Sequence, residues 1–187
     1  TGTCNVGMGY AALANNTTGA CNTTTGGCSL YTNSTGIRNN AFGYHSLYYN
    51  TTGGHNAAFG NAALHTNTTA SYNSAFGHGS LYANTTGANN TANGYNSLKC
   101  NTTGSNNVAV GHNAIFSNTT GTKNIAAGVD SLYSNTTTNN NVALGFSALK
   151  FNTANVNTAV GSEAFLANTT GSKNVGMGYK AGRFNTT

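Results

Sequence analysis

The amino-acid sequence predicts an all-β protein, a parallel β-solenoid or β-roll of about eleven coils with 17 residues each. Three observations predict this fold: an Asn that returns at a fixed interval, a strand-like alternation that follows it, and a composition that opposes helices. A short fixed period is typical of identical structural units, each of which contacts only its neighbours. We therefore interpret residues 1–187 as a single repeat array.

The recurring Asn opens the phrase N-T-T-G-x-x-N-x-A-x-G-x-x-(A/S)-L-x-x, and we number repeat positions 1 to 17 from it. One interval, between Asn152 and Asn168, is a residue shorter than the others. The coils begin near Asn16, Asn33, Asn50, Asn67, Asn84, Asn101, Asn118, Asn135, Asn152, Asn168 and Asn185.

Each coil is expected to contain two short strands joined by two turns. Positions 7 to 11 alternate as a strand does, with positions 8 and 10 on one face and position 9 on the other. Positions 14 and 15, a small residue followed by Leu, predict the second strand. The N-T-T-G segment predicts a turn, because Asn and Gly both accept left-handed backbone angles. Abundant Asn and Thr, together with 25 Gly, oppose helices.

Stacking places equivalent positions about 4.8 Å apart, so that constant positions become columns along the rod. Stacked side-chain amides can hydrogen-bond along such an axis, and we predict structural Asn ladders at positions 1 and 7. The ladder residues are Asn16, Asn33, Asn50, Asn67, Asn84, Asn101, Asn118 and Asn135 at position 1, and Asn22, Asn39, Asn56, Asn73, Asn90, Asn107, Asn124 and Asn141 at position 7.

Position 11 is Gly in every copy, which indicates a positive φ or a backbone approach too close for a Cβ atom. These glycines are Gly9, Gly26, Gly43, Gly60, Gly77, Gly94, Gly111, Gly128, Gly145, Gly161 and Gly178.

The repeat offers two faces that are poor in charge, one with bulky residues at positions 8 and 10 and one with small residues at position 9. A coil this small has one thin interior, and its few apolar groups cannot alone offset the entropy of ordering it. We expect one face to line the coil and the other to meet a second copy, in a homotrimer with roughly parallel axes. Both chain ends fall at position 3 without a capping element, which predicts an internal fragment of a longer fibre or a unit that stacks end to end.

The charge pattern argues against nucleic acid and membrane partners. Seven basic residues are spread over the whole length, whereas a nucleic-acid site would cluster them. No apolar run approaches the roughly 20 residues of a membrane span.

Side chains suited to chemistry are few and scattered. His78 and His112 share position 12 but lie two coils apart, and the two acids, Asp130 and Glu163, also lie two coils apart. We predict no catalytic residues, no metal ligands and no cofactor. Cys4 and Cys21 both occupy position 6 in successive coils, at a spacing inside the disulfide range, which makes a bridge between them a candidate.

Position 16 carries aromatic residues that share their column with charges and should therefore face water. Aromatic rings with a polar tip suit flat contacts with sugars or partner chains, although they would equally cover seams between subunits. The candidate surface contacts are Tyr31, Tyr48, Tyr82, Phe116 and Tyr133.

Three segments, at 107–111, 141–145 and 157–161, resemble the N-x-V-A-I-G-x-x-S signature of trimeric autotransporter adhesin heads, the YadA-like β-rolls. The longer N-T-T-G phrase is also similar to 17-residue repeats of phage and marine tail-fibre-like proteins. The resemblance implies a left-handed parallel β-roll, assembled as a trimer in a fibre at a bacterial surface or on a virion. The adhesin repeat is shorter, because it lacks the N-T-T-G insertion.

Together these features lead us to expect a structural or adhesive segment of an extracellular fibre, at a cell surface or on a virion. Such a segment would be a rigid spacer, with multivalent contacts to a host glycan or receptor as an added function. One alternative is an ice- or crystal-binding solenoid, suggested by the Thr columns at positions 2 and 3. The other is a surface filament that polymerises end to end.

Overall fold

The computed structural model describes residues 2–187 as an all-β solenoid with one 11-stranded parallel sheet. The strands follow each other in chain order across the sheet, and each is three residues long. Their bounds are β1 Val6–Met8, β2 Thr23–Thr25, β3 Asn40–Phe42, β4 Ala57–Phe59, β5 Ser74–Phe76, β6 Thr91–Asn93, β7 Val108–Val110, β8 Ile125–Ala127, β9 Val142–Leu144, β10 Thr158–Val160 and β11 Val175–Met177. The described residues include no helix, and hence none that would be long and apolar enough to cross a bilayer.

The register of the sheet pairs equivalent repeat positions. Ala58 lies beside Ala75, and Phe59 lies beside Phe76, one coil later. The shorter interval does not disturb this pairing, because Val142 still pairs with Thr158. The predicted stacking of one coil directly over the next is confirmed, and the missing residue is absorbed at a corner outside the sheet.

Each coil contributes one strand rather than the predicted two. Positions 13 and 15 have left-handed backbone angles, with φ of 57° at His45 and 50° at Leu47, so this segment turns instead of extending. It nevertheless hydrogen-bonds from coil to coil, as Leu47 N–H donates to the Ala63 carbonyl at 3.0 Å. A left-handed conformation costs roughly 1–2 kcal/mol for a residue with a Cβ. Burial of the Leu side chain and the repeated hydrogen bonds offset this cost.

The small face of the strand lines the interior, and the bulky face points outward. Ala at position 9 and Leu at position 15 are fully buried in the inner coils, as Ala58 and Leu64 are. The apolar core is therefore a narrow file of Leu and Ala that runs the length of the rod. Positions 8 and 10, including Val108 and Val110, lie on the outer surface of the sheet.

One corner of the rod is irregular. In most other coils the N–H groups of positions 2 and 3 donate to the position-2 carbonyl of the next coil, as those of Thr51 and Thr52 do to Thr68. Within the described residues, no backbone hydrogen bond of this kind extends from the N–H groups of 136–138 to the following coil. This corner contains Thr138 at position 4 and lies beside the one-residue deletion. We therefore expect the contact between these two coils to be weaker than the contact between coils at the regular corners.

Candidate functional site

The predicted ladder residues at position 1 form a file of side-chain amides inside the rod. Asn50 Nδ2 donates to Asn33 Oδ1 at 2.8 Å in the preceding coil and to the Gly53 carbonyl at 3.0 Å in its own coil. Both amide hydrogens are thus used, and the side chain is fully buried. Such a satisfied amide file closes the corner of each coil and ties it to its neighbour.

The ladder at position 7 works differently, because the backbone joins the side chains. The N–H of Asn56 donates to Asn39 Oδ1 at 3.0 Å, and Asn56 Nδ2 donates to the Ala70 carbonyl at 2.9 Å in the next coil. Asn56 Nδ2 also lies 3.1 Å from Asn39 Oδ1. Each Asn at this position therefore hydrogen-bonds to both the preceding and the following coil. The two Asn columns supply most of the buried polar side chains of the rod.

The file at position 1 is interrupted at the irregular corner. Asn135 and Asn152 share no hydrogen bond; the Thr138 hydroxyl donates instead to Asn135 Oδ1. Asn152 Nδ2 turns to the Ala154 carbonyl at 2.6 Å, and the file resumes with Asn168 donating to Asn152 Oδ1 at 2.9 Å.

The Gly at position 11 is required by both of the reasons that the sequence suggested. Gly60 has a φ of 140°, and a Cβ built on it would lie 2.5 Å from the carbonyl oxygen of Gly77 in the next coil. A side chain at this position would therefore force two coils apart.

The candidate disulfide is absent from the structure, in which Cys4 and Cys21 are free, exposed thiols. Both residues have left-handed backbone angles, with φ of 57° and 58°.

The aromatic column at position 16 is a stack of rings. Tyr31 and Tyr48 are parallel with centroids 5.2 Å apart, and His65 continues the stack at 5.5 Å from Tyr48 and 4.9 Å from Tyr82. A second stack joins Phe116 and Tyr133 at 5.1 Å. The ring faces that a sugar would use are occupied by neighbouring rings, so that the ring edges and hydroxyl groups are what this column presents to a ligand.

A histidine pair lies inside the first stack. The rings of His45 and His65 are 5.6 Å apart, and Nδ1 of His65 is buried without a hydrogen-bond partner among the described residues. Burial lowers the pKa of His65, and repulsion from His45 lowers it further. Both effects favour the neutral imidazole of His65 within the stack.

Each of the two acidic side chains forms an ion pair with a basic side chain in the next coil. The sequence did not lead us to predict these pairs. Lys150 Nζ lies 3.0 Å from Asp130 Oδ2, and Arg183 Nε lies 2.9 Å from Glu163 Oε2. Each acid is at position 13 and each base is at position 16 of the next coil, 20 residues later. That common spacing was the signal that could have revealed both pairs. The pairs also place positions 13 and 16 in adjacent columns.

Concave sites are lacking over the part of the chain that the structure describes. Residues 2–187 enclose no pocket, and no three His, Cys, Asp or Glu side chains among them converge on a point where a metal ion could bind.

The outer surface of the sheet exposes apolar side chains in most coils. Positions 8 and 10 carry no charged residue in any coil. Ile125 and Val110 are 43% and 42% exposed, and Phe42, Phe59 and Phe76 stack along position 10 with centroids 4.7 and 4.9 Å apart. An exposed apolar surface of this extent is typical of an interaction site.

The chain was compared with protein-family models, with curated proteins and with solved structures, and none of them matches it.

Proposed function

We propose that this chain is a rigid segment of an extracellular fibre, on a cell surface or a virion, and that three copies assemble through the outer surface of the sheet. The observation that carries the proposal is the surface of positions 8 and 10, which is uncharged along the whole rod and carries apolar side chains in most coils. Phe42 and Phe59 are half-buried in their stack and Phe76 is 41% exposed, so an interface would gain from burying the ring surface that solvent still reaches.

A second copy of the chain is the partner that fits this surface. Its features repeat at the coil spacing of about 4.8 Å, and a foreign partner would need the same period. A parallel copy in the same register has this period, and it places coils with bulky residues at positions 8 and 10 beside the equivalent coils of its partner. Rotational symmetry closes such an assembly, and the resemblance to adhesin heads favours three copies.

The interior supports a mechanical role. The rod has buried amide ladders and one continuous parallel sheet, and the described residues enclose no pocket. These features suit a stiff spacer better than a protein that encloses a substrate. Contacts with a host glycan or receptor would then be shallow and repeated, with avidity from multiplied weak sites.

The ice- or crystal-binding alternative has weaker support. The hydroxyl of Thr102, at position 2, donates to the Thr119 carbonyl at 3.0 Å, and Thr51, Thr68 and Thr85 make the same bond in their coils. One Thr column is thereby engaged in the fold, so that a flat array of two Thr columns is not presented.

Light scattering over a wide concentration range, with two matched variants, tests the trimer. Val110→Lys adds a charge to the outer sheet surface, and Asn106→Lys adds the same charge at position 6, where Lys123 and Lys173 already lie exposed in other coils. We expect a trimer mass for the wild type and Asn106→Lys, and a monomer for Val110→Lys. A wild-type chain that is monomeric at every concentration would refute the proposal.

A further inference from the structure

The threonines of the N-T-T-G segment divide into two chemically different columns. Position-2 hydroxyls donate to the next coil, as in the bond from Thr51 to the Thr68 carbonyl at 3.0 Å. The described position-3 threonines are all exposed, and in all but Thr170 the hydroxyl makes no hydrogen bond within the described residues. The exposed residues without such a bond are Thr18, Thr35, Thr52, Thr69, Thr86, Thr103, Thr120, Thr137 and Thr187.

Position 3 is invariant although the fold does not use its hydroxyl. Every described coil that retains this position has Thr there, whereas the exposed position 6 varies among Cys, Arg, His, Tyr, Asn, Lys and Val. Recent duplication does not explain the difference, since both positions would then have diverged equally. Positions 1, 7 and 11 are also constant, but burial and close backbone contact account for them. The constancy of position 3 therefore indicates a use outside the fold.

The segment N-T-T also matches the acceptor sequence for N-linked sugars, with position 3 as its hydroxyl residue. The folded chain excludes this use. Asn67, for example, is fully buried, and its Nδ2 donates to Asn50 Oδ1 at 2.8 Å and to the Ala70 carbonyl at 3.0 Å. A sugar on that nitrogen would remove one of these bonds and occupy the interior of the rod.

We propose that the position-3 threonines are acceptor sites for O-linked sugars, which would form one file along the rod. In the transfer, Oγ1 attacks the anomeric carbon of a nucleotide-activated or lipid phosphate-activated sugar supplied with a glycosyltransferase. A carbon–oxygen bond forms, the bond from the anomeric carbon to the phosphate oxygen breaks, and the phosphate leaves with the bonding electrons. The hydroxyl proton passes to a base of the transferase. The free, exposed hydroxyls meet the one requirement that the acceptor must supply.

The test is secretion of the 187-residue chain from a yeast, which attaches mannose to accessible Thr hydroxyls, followed by site mapping with electron-transfer mass spectrometry. One variant replaces position 3 in four coils by the isosteric Val (Thr52, Thr69, Thr86 and Thr103). The matched control replaces position 2 in the same coils (Thr51, Thr68, Thr85 and Thr102).

We expect hexose on the position-3 threonines of the wild type, and complete loss at the four substituted sites of the first variant without loss of folding. The control should keep its position-3 sugars and melt at a lower temperature, because it loses four hydrogen bonds between coils. Unmodified position-3 threonines, or sugars mainly on position 2 or on Asn67, would overturn the inference. The mapping is read separately from the oligomer mass, so that failure of the trimer proposal leaves this result distinguishable.

Discussion

Asn101 Nδ2 donates to Asn84 Oδ1 across 2.8 Å, and the same nitrogen donates to the Gly104 carbonyl at 2.9 Å. One side chain thus donates a hydrogen bond to the preceding coil and another to the corner of its own coil. The consequence is that each Asn at position 1 supports buried polar groups belonging to two coils.

Replacement of Asn101 by Ala should destabilise the rod by roughly 2–5 kcal/mol, because it leaves the buried Asn84 Oδ1 without a donor, removes the acceptor of Asn118 Nδ2 and opens a small cavity. Urea denaturation measures the loss. Asn61→Ala is the matched control, since Asn61 is exposed at position 12 and its side chain makes no hydrogen bond. Equal effects of the two substitutions would contradict a structural role for the ladder.

Gly111→Ala should be among the most disruptive single substitutions in the chain. The added Cβ would lie 2.7 Å from the Gly128 carbonyl oxygen, at a residue whose φ is 127°. We expect a loss of about 3–5 kcal/mol or failure to fold, as judged by thermal melting. Gly27→Ala serves as control, because its Cβ would meet only the Tyr44 ring, at 3.2 Å. A melting temperature for Gly111→Ala close to that of the control would show that the coils separate without cost.

Acidification should destabilise the aromatic stack through His65. Its pKa is lowered in the folded state by burial and by His45, so that the unfolded chain takes up the proton first as the pH falls. The contribution of neutral His65 to the stability of the fold is intact above the ordinary His pKa of about 6.5. This contribution is lost as the pH falls from that value to the folded-state pKa. His65→Tyr, which keeps a ring in the column, should remove this dependence. His112→Tyr, at the exposed position 12, should leave it in place.

Asp130 should contribute a separate loss of stability in stronger acid. Burial alone would raise its pKa, but hydrogen bonds from Lys150 and Asn113 outweigh burial and hold the pKa below its ordinary value. The stabilisation is present above that ordinary value, near 3.8, and disappears as the pH falls through the folded-state pKa. Asp130→Asn should therefore flatten the difference in melting temperature between about pH 5 and about pH 3, relative to the wild type.

Repair of the irregular corner should stabilise the rod. Insertion of one Thr after Thr153, combined with Thr138→Gly, restores the regular repeat and the missing link between Asn135 and Asn152. We expect a gain of about 1–3 kcal/mol from the recovered hydrogen bonds. Hydrogen exchange in the wild type should be fastest, among the inner corners, at 136–138. Uniform protection of all corners would contradict the proposed weak point.

The stacking, the strand at positions 8 to 10 and the need for Gly60 were predictable, since each follows from period, alternation or an invariant residue. The turn at Leu47 was not, because Leu has no intrinsic preference for a positive φ and adopts it only when coil-to-coil hydrogen bonds and burial compensate. Spacing along a column is readable from the sequence, whereas the direction of a side chain depends on the local backbone conformation.

The in-register pairing, illustrated by Phe59 beside Phe76, also bears on how such a rod changes over evolutionary time. Unequal crossing-over between two gene segments that encode whole repeats would lengthen or shorten the rod without altering the type of contact between neighbouring coils. The length of the rod would thereby vary in increments of a single coil, each of which adds its own interface to the array.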